Sequence, residues 1–306
     1  MAEVVPDVQD VAEARSLWMD AWITMRRRPL FWISVALIAV FVLMAAFPQL
    51  FSPLDAYNIK DACDLNRARL GPDADAIFGY DLQGCDVYAR TIYGARSSIL
   101  VGIFTTLLAT AIGVLLGTMG GFIGRWIDTL MSRTADIFFA IPLLLGGIII
   151  LYSFPSSPDT PYLLQVFKVV FAMAVLGWPN IFRIMRSSVM QVKPAEYVMA
   201  ARALGGNAPH VIMGHIIPNA IAPVIVVATI DLGAYIATEA TLSFLGIGLQ
   251  NPIISWGIDI SAASALGYVR QAPHMLIFPS IFLSLTVLAF IMLGEVVRDA
   301  LDPKLK

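Results

Sequence analysis

Two carboxylates stand inside a long apolar run, Asp231 and Glu239 within residues 216–245. A charge at the centre of a bilayer costs about 2.5–3.5 kcal/mol on insertion scales, so such residues face a bundle interior or a water-filled path. They are eight residues apart, about 80° around a helix of 3.6 residues per turn. The reading is that both lean toward a polar translocation path. For Glu239 a packing role at the outer interface competes with it. Other chemistries lack their residues. His210, His215 and His274 have no metal-ligand spacing, and His210 and His215, five apart, fall off one α-helical face. No Gly-Lys dipeptide occurs, so no phosphate loop of the G-x-x-x-x-G-K-[ST] kind exists. No G-x-S-x-G nucleophile motif occurs either. No catalytic residue, metal or other cofactor is expected in the chain, so any power stroke comes from partners.

The elements that must carry these carboxylates are membrane spans. The chain has 306 residues, 58% hydrophobic and 14% charged, with a net charge of −2. That charge content is far below the roughly 25% of a soluble domain. It excludes a disordered chain, and the absence of a basic excess excludes a basic-patch nucleic-acid binder. Two cysteines exclude a disulfide-built mini-protein. Crossing about 30 Å of hydrocarbon takes about 20 apolar residues. Six stretches qualify: 30–51, 97–124, 137–158, 160–182, 216–245 and 271–294. With the N-terminus inside, 13 basic residues lie on the inner side against 7 outside, and Arg26-Arg27-Arg28 abuts the first span. Both termini are therefore expected in the cytoplasm. The expected layout is a cytoplasmic tail (1–28), a first transmembrane helix (29–51), an extracytoplasmic loop (52–96) and a core of five more spans (97–306).

Val8, Val11, Trp18, Trp22 and Met25 fall at near-helical spacing, which suggests an amphipathic helix on the inner face. Cys63 and Cys85 share the long outer loop, in an oxidising compartment where disulfides persist. A Cys63–Cys85 bridge is the reading, with two separate thiols as its alternative. In the second span Ala109, Gly113, Gly117 and Gly121 recur every four residues, the small-residue stripe that lets another helix backbone approach. Pro142, Pro179, Pro218 and Pro223 favour kinks or helix starts.

The cytoplasmic loop 190–218 is the most informative. Ala200, Ala201, Ala203 and Leu204 are helix formers, and Gly205-Gly206 ends that helix as a cap pair would. A second short helix then leads through Pro218 into the fifth span. The small residues Ala200, Ala201 and Gly205 leave a low-profile surface that another protein can grip. A plain interfacial loop helix is the alternative.

Ala200-Ala201, three residues, Gly205, then Ile217-Pro218 resembles the EAA loop of ABC importer permeases. The wider sequence resembles the C-type membrane subunit of the dipeptide/oligopeptide/nickel permease family. Phe78 to Asp86 is similar to its L-G-T-D-x-x-G-R-D motif. Asp128, Arg133, Asp136 and Pro142 follow its next pattern. Glu239-Ala240-Thr241-Leu242-Ser243-Phe244-Leu245-Gly246 and Ser255-Trp256-Gly257 resemble E-A-x-L-S-F-L-G…S-W-G. Gly294 through Arg298-Asp299-Ala300-Leu301-Asp302-Pro303 resembles the family ending. There are departures: Met199 stands where the EAA triplet has Glu, Glu196 lies one helical turn earlier, and Cys85 stands where the family has Arg.

The resemblance implies an all-α type I ABC importer permease fold in the bacterial cell membrane. It implies a B-type permease partner, two ATPase subunits that bind ATP and Mg, an extracytoplasmic peptide-binding protein, and no nucleic acid. The ATPase-coupling residues it implies are Glu196, Tyr197, Met199, Ala200, Ala201, Arg202, Ala203, Leu204, Gly205, His215 and Pro218. Nickel or another small solute remains open as cargo in place of peptides. Outside the family, an ion-gradient-driven transporter using Asp231 is the competing reading.

Overall fold

The computed structural model describes residues 17–58 and 62–301. Val8 and Val11 of the expected amphipathic helix lie outside the described residues, as do Arg15, Lys60 and residues 302–306. Trp18, Trp22 and Met25 lie on α1 (Leu17–Arg26). Among the described residues the fold is helical, and two isolated bridges, Cys63 with Cys85 and Tyr80 with Asp86, replace any sheet.

Among the described residues, five helices are long and apolar enough to cross a bilayer. They are α2 (Pro29–Ala46), α3 (Val87–Ile123), α6 (Tyr162–Val192), α10 (Ala222–Phe244) and α13 (His274–Leu301). A sixth crossing exists only if α4 (Arg125–Phe139) and α5 (Leu143–Ser153) count as one span. The continuous span expected over 137–158 is instead broken, with an 86° bend between these two helices. The cause is Pro142. It disfavours helical backbone at Ile141, and it takes an extended ψ of 128° itself.

Helix ends explain the other differences. Asp86 caps α3, its carboxylate accepting from Tyr88 N at 2.7 Å, so the helix starts ten residues before the apolar run at Ser97. Burial pushes the Asp86 carboxyl above its ordinary range, while the N–H groups of Tyr88 and Ala89 pull it back. The expected outer loop 52–96 thus closes at residue 86. The capped helix runs 37 residues, about 55 Å at 1.5 Å each, and overshoots the hydrocarbon. It stops at Gly124, whose φ of +72° an L side chain disfavours.

The helices alternate between two faces. One face gathers the start of α2, the α3–α4 turn, the end of α6 and the end of α13. There Arg28 pairs with Asp299, and Lys193 Nζ donates to Phe122 O at 2.7 Å. The other face gathers residues 47–58 and 62–86, the start of α6 and the end of α10, where Gln250 N donates to Gln165 Oε1 at 3.3 Å. On it lie α11 (Trp256–Ala263) and α12 (Leu266–Gln271). A disulfide joins Cys63 to Cys85 across a separation of 22 residues. The stapled segment is bolted down by Tyr88 Oη donating to Phe51 O, by Phe78 stacked on Phe278 at 3.7 Å, and by a hydrogen bond between His274 Nε2 and Tyr80 O.

The small-residue stripe makes a close helix contact. A Cβ at Gly113 would sit 2.6 Å from Ile181 Cβ, at Gly117 2.8 Å from Phe182 O, and at Gly121 2.9 Å from Arg186 O. Only glycine lets α3 and α6 approach this far. Trp256, fully buried, ties α11 to α3 by donating from Nε1 to Thr91 O at 2.8 Å.

Candidate coupling segment and intramembrane polar residues

Between α6 and α10 the chain forms a compact knob. Its first piece is α7 (Glu196–Ala203), with Glu196 in the first turn and Arg202 in the last, each favourable to the helix dipole. Leu204 follows it. Gly205, at φ +86°, donates its N–H to Arg202 O, and Gly206 donates to Ala201 O, both at 3.0 Å. This is the Schellman arrangement that the glycine pair predicts. Asn207 then caps α8 (Ala208–Val211), its side chain accepting from His210 N at 3.0 Å.

A π-turn over Ile212–Ile216 follows, then α9 (Ile217–Ala220). Pro218 and Pro223 explain this irregular entry into α10: neither can donate to the preceding turn, so the backbone widens and rejoins. The π-turn also corrects one expectation. Residues five apart drift off one face of an α-helix, yet here the His210 and His215 rings meet edge to face at 5.8 Å. Hydrogen bonds from i to i+5 bring such residues nearly into register.

The three faces of α7 do different things. Val198 is fully buried and joins Val211, Ile216, Ile181, Met185, Val189 and Val224 in one apolar cluster. The knob is therefore fastened to the ends of both α6 and α10. Tyr197, Ala200, Ala201 and Leu204 follow at i, i+3, i+4 and i+7 and line an open groove with Gly206, His210 and His215. Leu204 is 90% exposed at its tip. Met199 and Arg202 face a second concavity, against the α3–α4 turn. Ala203 is exposed beside them, and Pro218 is exposed at the start of α9.

Asp231 and Glu239 do not share an environment. Asp231 is partly exposed on α10 and accepts from Asn180 Nδ2 of α6 at 3.2 Å. Glu239 has no exposed surface; Ser243 Oγ donates to its Oε1 at 2.7 Å, and its Oε2 has no partner. Of the two carboxylates expected to line a path, only Asp231 has a surface open to a solute in this conformation. Glu239 is enclosed because the inward-facing side of α10 at that level packs against α3 and α11. A Cβ on Gly257 of α11 would stand 2.5 Å from Ala240 O, the residue after it.

Several ion pairs were not legible from the chain. Arg186 of α6 grips Asp128 of α4 through Nε and Nη2, its Nη2 to Oδ2 distance being 2.6 Å. Arg183 Nη2 meets Asp136 Oδ1 at 2.8 Å, with its guanidinium 4.0 Å from the Phe139 ring centroid. Arg90 meets both Asp81 and the buried Asp259. Burial pushes the Asp259 carboxyl above its ordinary range, and the Arg90 charge pulls it back. All but Arg90–Asp81 join residues 47 or more apart in sequence, and nothing in a lone Asp or Arg announces its partner.

Residues 109–306 match the family described as a binding-protein-dependent transport system inner membrane component. The chain belongs to that family. Residues 16–72 match the N-terminal transmembrane domain of oligopeptide transport permease C. The permease is 37% identical to the oligopeptide transport system permease protein OppC of Bacillus subtilis, over 95% of this chain and 91% of that one. It is 37% identical to the dipeptide transport system permease protein DppC of Alkalihalophilus pseudofirmus, over 98% and 94%. It is 33% identical to the glutathione transport system permease protein GsiD of Pectobacterium atrosepticum, over 100% and 97%. A solved amino acid ABC transporter superposes with a TM-score of 0.50 at 19% identity, covering 68% of this chain and 93% of that one, a likeness of fold. The permease is thus a multi-pass membrane subunit of a bacterial ABC importer, and a transport component, not an enzyme.

Proposed function

We propose that this permease imports di- or oligopeptides, paired with a B-type permease, two ATPase subunits and an extracytoplasmic peptide-binding protein. The peptide assignment is supported by the relatives that match nearly the whole chain. The face bearing α7 is cytoplasmic and the disulfide-stapled face is outside; the Arg26-Arg27-Arg28 run and the basic excess support this.

The observation that carries the coupling role is the division of labour on α7. One face is buried into the ends of two spanning helices through Val198, and the opposite groove of Tyr197, Ala200, Ala201 and Leu204 is open. A force applied in that groove acts on α6 and α10 without an intervening flexible joint. ATP binding closes the ATPases around the knob and moves α6 and α10, turning the path outward so that the binding protein releases peptide into it. Hydrolysis returns it inward. The drive is the ATPases' different affinity for the two states, since a partner that binds both equally shifts nothing. Asp231, held by Asn180, lines the path where α6 and α10 meet. Met199 in place of an acid moves any ionic contact with the ATPase to Glu196, which is exposed at the start of α7.

Proteoliposomes holding the complete transporter, with labelled oligopeptides and binding protein, test the assignment. Uptake requires ATP and the ATPase subunits. Uptake driven by a proton gradient without them would overturn it.

A further inference from the structure

The second concavity beside α7 shares Met199 and Arg202 with the coupling residues, but the rest of its lining lies on the α3–α4 turn, the start of α4 and the end of α6. It is lined by Gly120, Gly121 and Gly124 of the α3–α4 turn, by Lys193 and Pro194 at the end of α6, and by Met199 and Arg202 of α7, with Arg125 at its rim. Its charge is one-sided. Asp128 is its one acid, and Arg186 neutralises it with a two-nitrogen grip. Arg125, Lys193 and Arg202 remain. Arg202 lies 4.8 Å and Lys193 Nζ 5.8 Å from the centre of the Phe122 ring, which holds both cations over the hollow. No carboxylate pairs with any of the three among the described residues.

The floor is open as well. A Cβ on Gly124 would meet nothing within 4 Å. Arg125 holds a φ of +53°, a backbone conformation costing about 1–2 kcal/mol for an L residue. Strain of that kind gathers at ligand clamps. The next residue, Trp126, is 71% exposed, and Leu130 one turn on is 58% exposed. This apolar edge begins at the residue after Arg125, which lines the hollow, and suits the hydrocarbon boundary, where Trp concentrates.

We infer that this hollow binds the phosphate headgroup of an anionic phospholipid from the cytoplasmic leaflet, with its acyl chains along the Trp126–Leu130 edge of α4. Basic pockets between transmembrane helices on the cytoplasmic side suit such headgroups. The occupant bridges the α3–α4 turn and the Met199–Arg202 face of α7, so the lipid buttresses the knob from the side opposite its open groove. The inference rests on the cytoplasmic assignment of this face, which accessibility of a single introduced thiol at Arg133 checks independently.

The test is native mass spectrometry of the purified transporter titrated with phosphatidylglycerol, with phosphatidylcholine and inorganic phosphate as separate arms. The wild type retains phosphatidylglycerol in preference to phosphatidylcholine, and inorganic phosphate at matching concentration does not displace it. Each basic residue near an anionic surface strengthens binding about fivefold, so R125Q/R202Q weakens retention roughly thirtyfold. R125K/R202K restores most of it, which separates charge from folding. R133Q, on an 80% exposed side chain elsewhere on α4, leaves it unchanged. Unchanged retention in R125Q/R202Q overturns the proposal. So does displacement by inorganic phosphate alone, which would make the hollow a site for a free anion. Loss of bound ATPase with lipid retention intact would make it a protein contact and overturn it equally.

Discussion

The turn that closes α7 offers a graded perturbation. Gly205 sits at φ +86° with nothing within 4 Å of where a Cβ would stand, so a substitution there meets only a backbone cost. For alanine that cost is about 1–2 kcal/mol. At tenfold per 1.4 kcal/mol, the G205A turn opens about 5–30 times more often. Asparagine visits the left-handed region more readily, so G205N opens less. Gly206 differs: its Cβ would lie 2.7 Å from Ala201 O, the carbonyl that its own N–H bonds. G206A therefore breaks the turn by collision, whatever its φ. The assay is hydrogen exchange of the Leu204, Gly205 and Gly206 amides in nanodiscs, alongside peptide uptake. Exchange should accelerate in the order wild type, G205N, G205A, G206A, with uptake falling in the same order. Equal exchange in G205N and G205A, or a G206A turn as protected as wild type, would refute the reasoning.

Other expectations follow from the same contacts. G117L, driven against Phe182 O and Met185, forces α3 from α6 and costs more than the 1–3 kcal/mol typical of an overpacked core, seen as a lower unfolding temperature in nanodiscs. Removing the disulfide with C63S/C85S frees a loop of 22-residue separation and costs about 3 kcal/mol by loop entropy, read from chemical unfolding with and without reductant. R90Q strands the buried Asp259 and costs about 3–5 kcal/mol, whereas R90Q/D259N costs less than R90Q alone; a double-mutant cycle by thermal unfolding reads the difference. D231N keeps the bond to Asn180 and the expression level but lowers uptake, and unchanged uptake would remove Asp231 from the path.

Much of this fold was written in local chemistry. Apolar runs located the spans, Gly205-Gly206 marked the end of α7, and Gly113, Gly117 and Gly121 marked the close approach of α3 to α6. These signals survive because one residue type carries each of them. What stayed hidden required distance or geometry. Composition could not show that Asp86 would start α3 ten residues early, since a cap acts on N–H groups and not on hydropathy. Pro142 was visible, but the 86° bend it produces depends on how α5 packs against α6. The His210–His215 contact depends on the π-turn over Ile212–Ile216, which no single residue type announces. Glu239 carries both a path and a packing reading on residue type alone, and its enclosure by α3 and α11 depends on contacts from distant segments.

The coupling role of α7 stands or falls on whether its open groove is gripped by an ATPase. Both cysteines of this chain are joined to each other, so a thiol introduced by L204C is its one free thiol, at a position where Leu204 is 90% exposed. A photoreactive maleimide placed there, in membranes carrying the whole transporter, captures whatever lies in the groove. The predicted result is an adduct with the ATPase subunit whose yield changes when ATP binds. Adducts with lipid alone, or an ATPase adduct indifferent to nucleotide, would contradict it.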